Sequence, residues 1–470
     1  MIRNLMLGAA VLCLSHQALA KEYIIKFNGD TKAHAAFLEN LNATPLLKNM
    51  YLIDIPDTEA ASMQVYNLAN SPEIEYVENN KNLSIFPMNI DAAKAAVAEL
   101  VSDSPEFVAP ADNPPIPNPP KRPEIGRDPL LQHQWGMRDN QIQKAWKQGG
   151  SMGDPNVVVA VIDTGVDYTH EDLVYNMWRN PNEIPDNNID DDGNGFVDDI
   201  VGWDFVSDDN LPYDLSMNPF QLIFQGGNAG HGTHCAGNIA ARAYNGKGIT
   251  GVAPHVKIMA MRFLSETGQG TTAAAIQAIK YAVDNGAHIL SNSWGSQGDD
   301  PNDPNTQALK EAIQYAQDHN VLFVAAAGNG RQGAGYDNDS DSKPAYPASY
   351  DHGAIISVAA LDENDSLGKF SNWGKNTVDI GAPGVKIYST VPQGKYADTV
   401  FDKFGITVNW DGTSMATPFV SGAAALYLSA NPSANWLEIK NAILNSSTPI
   451  PALSNKSVSG GKLNVLNLMR

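Results

Sequence analysis

The chain has 470 residues, with 31 Lys and Arg against 52 Asp and Glu, a formal net charge of −21. That acidity disfavours nucleic acid as a partner and favours solubility. Met1-Ile2-Arg3-Asn4, a short apolar stretch over residues 5–14 and the ending Ala18-Leu19-Ala20 read as a secretory signal over residues 1–20. It is too short to be a stable membrane anchor, and cleavage is expected after Ala20. Cys13 would leave with it, since Leu12 before it gives no lipoprotein context. The mature chain then keeps only Cys235, which excludes an intrachain disulfide.

Beyond the leader, residues 21–27 alternate like a strand, 33–41 read as a helix, 50–55 as a strand, 59–69 as a second helix, and 74–80 follow. They make a small α+β unit over residues 21–85. Residues 86–127 form a join: an Ala-rich helical patch at 91–101, then a stretch at 110–123 that is too proline-rich for a core and suits an extended, cleavable tether. From Asp128 to Arg470 apolar strands alternate with helices. Strands are expected at 157–162, 288–291, 321–326 and 355–360, and helices at 272–285 and 307–318. The alternation predicts a three-layer α/β/α fold with a mainly parallel sheet.

Chemistry concentrates at the ends of these elements. In Gly412-Thr413-Ser414-Met415-Ala416-Thr417-Pro418, a serine between small residues opens a helix. Such a serine is either a helix cap or a nucleophile whose hydroxyl is exposed and whose amide faces an anion. Two other segments decide between these. The buried run at 157–162 ends in Asp163, and Gly230-His231-Gly232 begins a small-residue helix. In the order Asp, His, Ser they supply an orienter, a general base and a nucleophile. The strand at 321–326 leads to Gly328-Asn329-Gly330, a turn signal that also places an amide at a strand end. In the acidic stretch 186–199, Asp190, Asp192, Asn194, the Phe196 carbonyl and Asp198 have the oxygen spacing of a calcium loop, and Gly195 permits the turn. Val201 stands where an EF-hand has its bidentate Glu, so this is not an EF-hand; the alternative is a solvated acidic loop.

From about Asp128 onward these segments resemble the subtilase family of subtilisin-like serine peptidases. The resemblance implies that Asp163 orients His231, that His231 deprotonates Ser414, and that Asn329 and the Ser414 backbone N–H hold the oxyanion. It makes residues 289–295 the edge strand that pairs with substrate. Ser293, Trp294 and Gly295 would line the main pocket, Ala345-Tyr346-Pro347 would close its base, and Gly268-Gln269-Gly270 would form the opposing loop. A pocket walled by Gly and Ala has room for an apolar or aromatic side chain. The resemblance also implies a second calcium held by Asp128, Asp172 and the 244–249 loop with Asn245. Residues 21–85, ending in Glu75-Tyr76-Val77-Glu78-x-Asn80, resemble the ferredoxin-like inhibitory propeptide and folding chaperone of the family, with processing between about Phe86 and Asp128. Cys235, one turn after His231, is expected to be a buried structural thiol.

The expectation is a secreted (extracellular or periplasmic), monomeric serine endopeptidase acting on proteins and peptides. It would be made as an autoprocessed zymogen, inhibited by its own propeptide and steadied by calcium. An esterase or lipase would instead show Gly-x-Ser-x-Gly and the order Ser, Asp, His. The 208–228 stretch before His231 departs from a compact subtilisin, and the sequence assigns it no role.

Overall fold

A computed structural model of the chain describes residues 20–29, 38, 43–56, 58–86, 113–118, 125–218, 221–222, 226–297, 307–403 and 406–470. The expected leader before Ala20 and the helical patch at 91–101 lie outside the described residues, as does nearly all of the helix expected at 33–41. The chain divides into two compact units between Asn80 and Lys81.

The first unit is an antiparallel sheet of β1 (Ala20–Phe27), β2 (Thr44–Leu47), β3 (Met50–Pro56) and β4 (Ile74–Asn79), with helix α1 (Glu59–Ala69) between the last two. The spatial order is β2-β3-β1-β4. Central β1 pairs Ile25 with Tyr51 of β3 and with Val77 of β4. This is the strand order of the ferredoxin-like fold. Ile25, Phe27, Ile53 and Ile55 from the sheet meet Leu68 from α1 and Ile74 in one apolar cluster.

The second unit is built on a large sheet. Its members include β6 (Val158–Asp163), β7 (Gly202–Asp204), β8 (Lys257–Arg262), β10 (Ile289–Asn292), β12 (Leu322–Ala326), β14 (Ile355–Leu361) and β15 (Ile380–Pro383), in the order β15-β14-β12-β10-β6-β8-β7. These seven run parallel. Short segments Gly461–Lys462 and Thr448–Pro449 extend the β15 edge, the last one antiparallel. β6, β12 and β14 are buried at every position, as strands covered on both faces must be.

One face, through Val159, Val161, Ile289, Val324 and Ile356, packs against α3 (His231–Ala240) and α6 (Thr413–Ala430). Helices α4 (Thr272–Asp284) and α5 (Gln307–Asp318) pack on each other and on β6, β8 and β12, which completes the third layer. A second, small sheet in this unit runs β13-β11-β5-β9, from β5 (Asn82–Ile85), β9 (Gln269–Thr271), β11 (Trp294–Gln297) and β13 (Ala345–Tyr346). Among the described residues no helix is long and apolar enough to cross a membrane.

Candidate active site

Parallel strands present their carboxyl ends at one edge of the sheet, where α/β proteins gather their ligands. Asp163 ends β6, and His231 and Ser414 lie in the first turns of α3 and α6. Asp163 Oδ1 accepts from His231 Nδ1 at 2.8 Å and from the Thr164 N–H at 2.7 Å. An ionised carboxylate can only accept, so Nδ1 carries the proton and Nε2 keeps a lone pair. That Nε2 is buried and has no hydrogen-bond partner among the described residues. Both residues are almost wholly shielded from solvent.

Ser414 is fixed by a feature of its own helix. Pro418, four residues on, has no N–H and cannot bond the Ser414 carbonyl, as a regular helix would require. The freed carbonyl accepts instead from Ser293 Oγ at 2.9 Å and from the Cys235 thiol at 3.5 Å. Burial pushes the Cys235 thiol well above its usual range, which keeps it a neutral packing group. Ser414 Oγ donates to the Ser293 carbonyl at 2.9 Å.

Asn329 follows β12. Its Oδ1 accepts from both the N–H of Thr413 (2.9 Å) and the Thr413 hydroxyl (2.8 Å), and the Gly328 N–H in turn donates to that hydroxyl at 3.2 Å. With its oxygen held this way, the amide can present only its Nδ2 donors elsewhere. The face of the amide that a donor role would use is therefore set by the Thr413 bonds.

The 208–228 stretch turns out to brace the base. The Asp214 carboxylate is fully buried and accepts from Thr164 Oγ1 (2.9 Å), Asn228 Nδ2 (2.6 Å), and the Thr233 N–H and hydroxyl (2.8 and 2.6 Å). Asn228 Oδ1 accepts from the N–H groups of Gly230 and His231 at 2.8 and 2.7 Å. Burial raises the Asp214 carboxyl to about 6, with its four donors pulling the other way. Sequence reasoning missed this pair because neither residue sits in a recognisable motif.

The cleft residues surround an extended segment of the same unit. β5 is antiparallel to β9 on one side, with Leu83 opposite Gly270 and Ser84 opposite Gln269. On the other side it is antiparallel to β11, with Ile85 opposite Trp294 and Ser84 opposite Gly295. The Ile85 N–H donates to the Gly268 carbonyl at 3.0 Å. Phe86 follows, buried in a cluster with Ala326 and Ala345. A Cβ on Gly295 would come within 2.7 Å of the Phe86 ring and 2.2 Å of the Tyr346 carbonyl, so only glycine leaves this pocket open.

Trp294 differs from the expectation. Its backbone borders the segment, but its side chain is fully buried edge-on against Phe263, with ring centroids 4.9 Å apart, and belongs to the core beneath the cleft. The alternation of side chains along a strand accounts for this, since Trp294 and Gly295 must face opposite ways. The tether also shows a docked portion. Tyr168 Oη donates to the Pro114 carbonyl at 2.6 Å, Asn113 Nδ2 to Leu211 O at 3.3 Å, and Arg179 to the Pro117 carbonyl.

The acidic loop is reorganised relative to its sequence reading. Glu183, Asp192 and Asp199 bring carboxylate oxygens within 4.8 Å of one another. Asp190 instead caps backbone N–H groups of Gly193, Asn194 and Gly195, and Asp198 those of Asn187 and Asn188. Asn194 lies beside the cluster, its Nδ2 donating to Asp192 and Asp199, while the Phe196 ring packs on Trp203 and Tyr281. Burial raises the Asp199 carboxyl despite bonds from Tyr281, Asn194 and Asn180. Among the described residues no lysine or arginine pairs with these three carboxylates. Such a cluster of shielded negative charge fits a hard cation.

At the second location Asp172 accepts from Asn245 Nδ2 (2.7 Å) and the Ile249 N–H (2.9 Å), while Asp128 accepts from the N–H groups of Tyr244 and Asn245. Burial raises Asp172 and lifts Asp128 to about 6, and Asp172 adds to the rise of Asp128. Lys247 points away to Glu171, 3.3 Å distant, and does not neutralise the pair. These residues also fit a cation.

An Asp-His pair, a serine in a helix's first turn and an asparagine amide with its oxygen held gather at the carboxyl edge of a parallel sheet, an arrangement like that of subtilisin-like serine peptidases. The family model described as the subtilase family matches residues 154–465. The chain belongs to the subtilase family. It is 37% identical over 311 residues to a thermophilic serine proteinase of Bacillus sp. (strain AK1), covering 66% of this chain and 61% of that protein. To thermitase of Thermoactinomyces vulgaris it is 35% identical, covering 67% of this chain and 89% of thermitase. The crystal structure of fervidolysin from Fervidobacterium pennivorans, a keratinolytic enzyme related to subtilisin, aligns with a TM-score of 0.64 at 27% identity, over 97% of this chain and 61% of that one.

Proposed function

We propose that this chain is a secreted serine endopeptidase that hydrolyses proteins through an acyl-enzyme and is made as an inhibited zymogen. The observation that carries the reading is the 2.8 Å Asp163–His231 bond, which leaves Nε2 of His231 without a partner among the described residues, together with Ser414 in the first turn of α6. Nε2 takes the Ser414 hydroxyl proton as Oγ attacks the scissile carbonyl. Asn329 Nδ2 and the Ser414 N–H take up the charge on the carbonyl oxygen, and His231 returns its proton to the leaving nitrogen. Water then cleaves the ester by the same route in reverse.

Substrate would lie where β5 lies, held by backbone pairing to β9 and β11, with an apolar or aromatic side chain in the Phe86 pocket. The occupied cleft supports inhibition by the segment over residues 21–85, and the leader-like start supports secretion. Calcium would be held by Glu183, Asp192 and Asp199, and by Asp128, Asp172 and Asn245, where it offsets buried negative charge. A fluorophosphonate probe should label the secreted protein, and Ser414→Ala should abolish both labelling and hydrolysis of a peptide library. Labelling that persists in Ser414→Ala would sink the assignment.

A further inference from the structure

We propose that Pro87 turns the Phe86–Pro87 peptide bond into a built-in block to self-cleavage, so that Asn82 to Phe86 occupies the cleft in the manner of a substrate and is not cut there. The inference rests on the peptidase reading of the cleft and adds to it the identity of the bond that resists.

The segment has every feature of a good substrate up to its last residue. Leu83, Ser84 and Ile85 pair with both walls of the cleft. Phe86 is almost wholly buried between Ala326 and Ala345, and Ala326 stands three residues before Asn329. Such a placement presents the bond after Phe86 for attack. In this sequence the next residue is Pro87.

A proline nitrogen carries ring Cδ where every other residue carries hydrogen. Cleavage requires the Phe86 carbon to gain the bond to Ser414 Oγ and lose the bond to nitrogen, while His231 passes to that nitrogen the proton taken from Oγ. In such an adduct the ring carbon takes the place of the hydrogen on that nitrogen and hinders approach of the imidazole that must deliver the proton. Without an effective transfer, the adduct reverts: the oxyanion pair re-forms the Phe86 carbonyl, the bond to Oγ breaks with its electrons going to Oγ, His231 returns the proton to Oγ, and the bond to the proline nitrogen stays intact. Pro87 also biases Phe86 towards the extended conformation that strand pairing requires, so the same residue favours binding and opposes cutting. The segment is then a resident competitor, and the first cut that frees the catalytic unit falls after Pro87.

The test is intact mass and N-terminal sequencing of the fragments produced by the full-length wild type, Pro87→Ala and Pro87→Ala combined with Ser414→Ala. Wild type is expected to yield no fragment ending at Phe86, Pro87→Ala to yield one, and the double variant none. A second measurement avoids any folding effect of the substitution. The secreted, processed enzyme is given the synthetic peptides KNLSIFPMNI, which matches residues 81–90, and KNLSIFAMNI. The alanine peptide should be cut after Phe, and the proline peptide should inhibit and be cut at least about a hundredfold more slowly, the scale of a lost proton transfer.

A wild-type fragment ending at Phe86, or proline-peptide cleavage within tenfold of the alanine peptide, overturns the inference. If that enzyme still hydrolyses a phenylalanyl p-nitroanilide, the peptidase reading survives alone. Failure to hydrolyse the anilide overturns both.

Discussion

Replacing Asn329 separates two things this amide does. Its Nδ2 is free to serve the oxyanion, and its Oδ1 satisfies two donors of Thr413 at 2.9 and 2.8 Å. Asn329→Ala removes both functions. Loss of the oxyanion donor is expected to cost roughly 10²–10³ in turnover, or about 2.7–4 kcal/mol of barrier, a magnitude carried over from the corresponding donor in subtilisin rather than calculated for this chain. The alanine variant also leaves the buried Thr413 N–H and hydroxyl without an acceptor, at about 1–3 kcal/mol of stability for each. Asn329→Asp keeps an acceptor for both donors and has none to offer the oxyanion. It should therefore melt closer to wild type than Asn329→Ala while losing at least as much turnover. Because the donor acts in the transition state, kcat and kcat/KM should fall together with KM little changed. Steady-state kinetics on a peptide anilide and thermal melts with the active site blocked give both quantities. Turnover within about threefold of wild type in Asn329→Asp, against the roughly 10²–10³ expected of a lost donor, would refute the reasoning.

Two other predictions concern the buried carboxylates. Excess chelator should lower the melting temperature of the secreted enzyme, since an ion bound only to the native state stabilises it. Glu183→Gln and Asp172→Asn should each remove part of that response, and an unchanged melt in chelator counts against both cation sites. Asp214 should make its own contribution to the pH dependence of stability. Its folded value, about 6, lies above the ordinary 3.8, so its contribution is complete below the unfolded value and is lost as pH rises through about 6. Between pH 4 and pH 7 that loss is roughly 2 kcal/mol. Urea melts of Ser414→Ala, with and without Asp214→Asn, should show the non-titrating variant's stability relative to its parent improving by about that amount over the interval. A gap constant with pH would mean that Asp214 does not titrate there.

The placement of residues at the ends of strongly patterned elements was legible in the sequence. β6 and β12 are runs without a polar interruption, so the residue that ends each run had to sit at the sheet's edge, and Asp163 and Asn329 do. Small residues flank His231 and Ser414 because other elements pass close by: a Cβ on Gly232 would lie 2.0 Å from the Gly165 carbonyl oxygen, and one on Gly412 3.2 Å from Asn329 Nδ2. The acidic loop was less legible. Spacing pointed to Asp190 and Asp198, whose carboxylates accept from nearby backbone N–H groups, while Glu183 and Asp199 join Asp192 in a cluster. Local spacing could not offer Glu183, which lies outside the acidic stretch. Asp214 and Asn228 were invisible for a related reason, because Asp214 is held by Thr164 and Thr233 from other elements and Asn228 by Asp214, 14 residues away. Trp294 was read as pocket lining from its neighbours, and the strand's alternation sent its side chain inward.

The sheet order carries a consequence for time. β6, which holds Asp163, lies between β8 and β10, and the helix that brings Ser414 comes 251 residues later. At about 5–20 residues per second, a ribosome needs roughly 13–50 s to travel from one to the other. Over that stretch the emerging chain holds Asp163, and for its last 183 residues His231 as well, but not Ser414. On the proposed mechanism a copy at that stage has no nucleophile of its own.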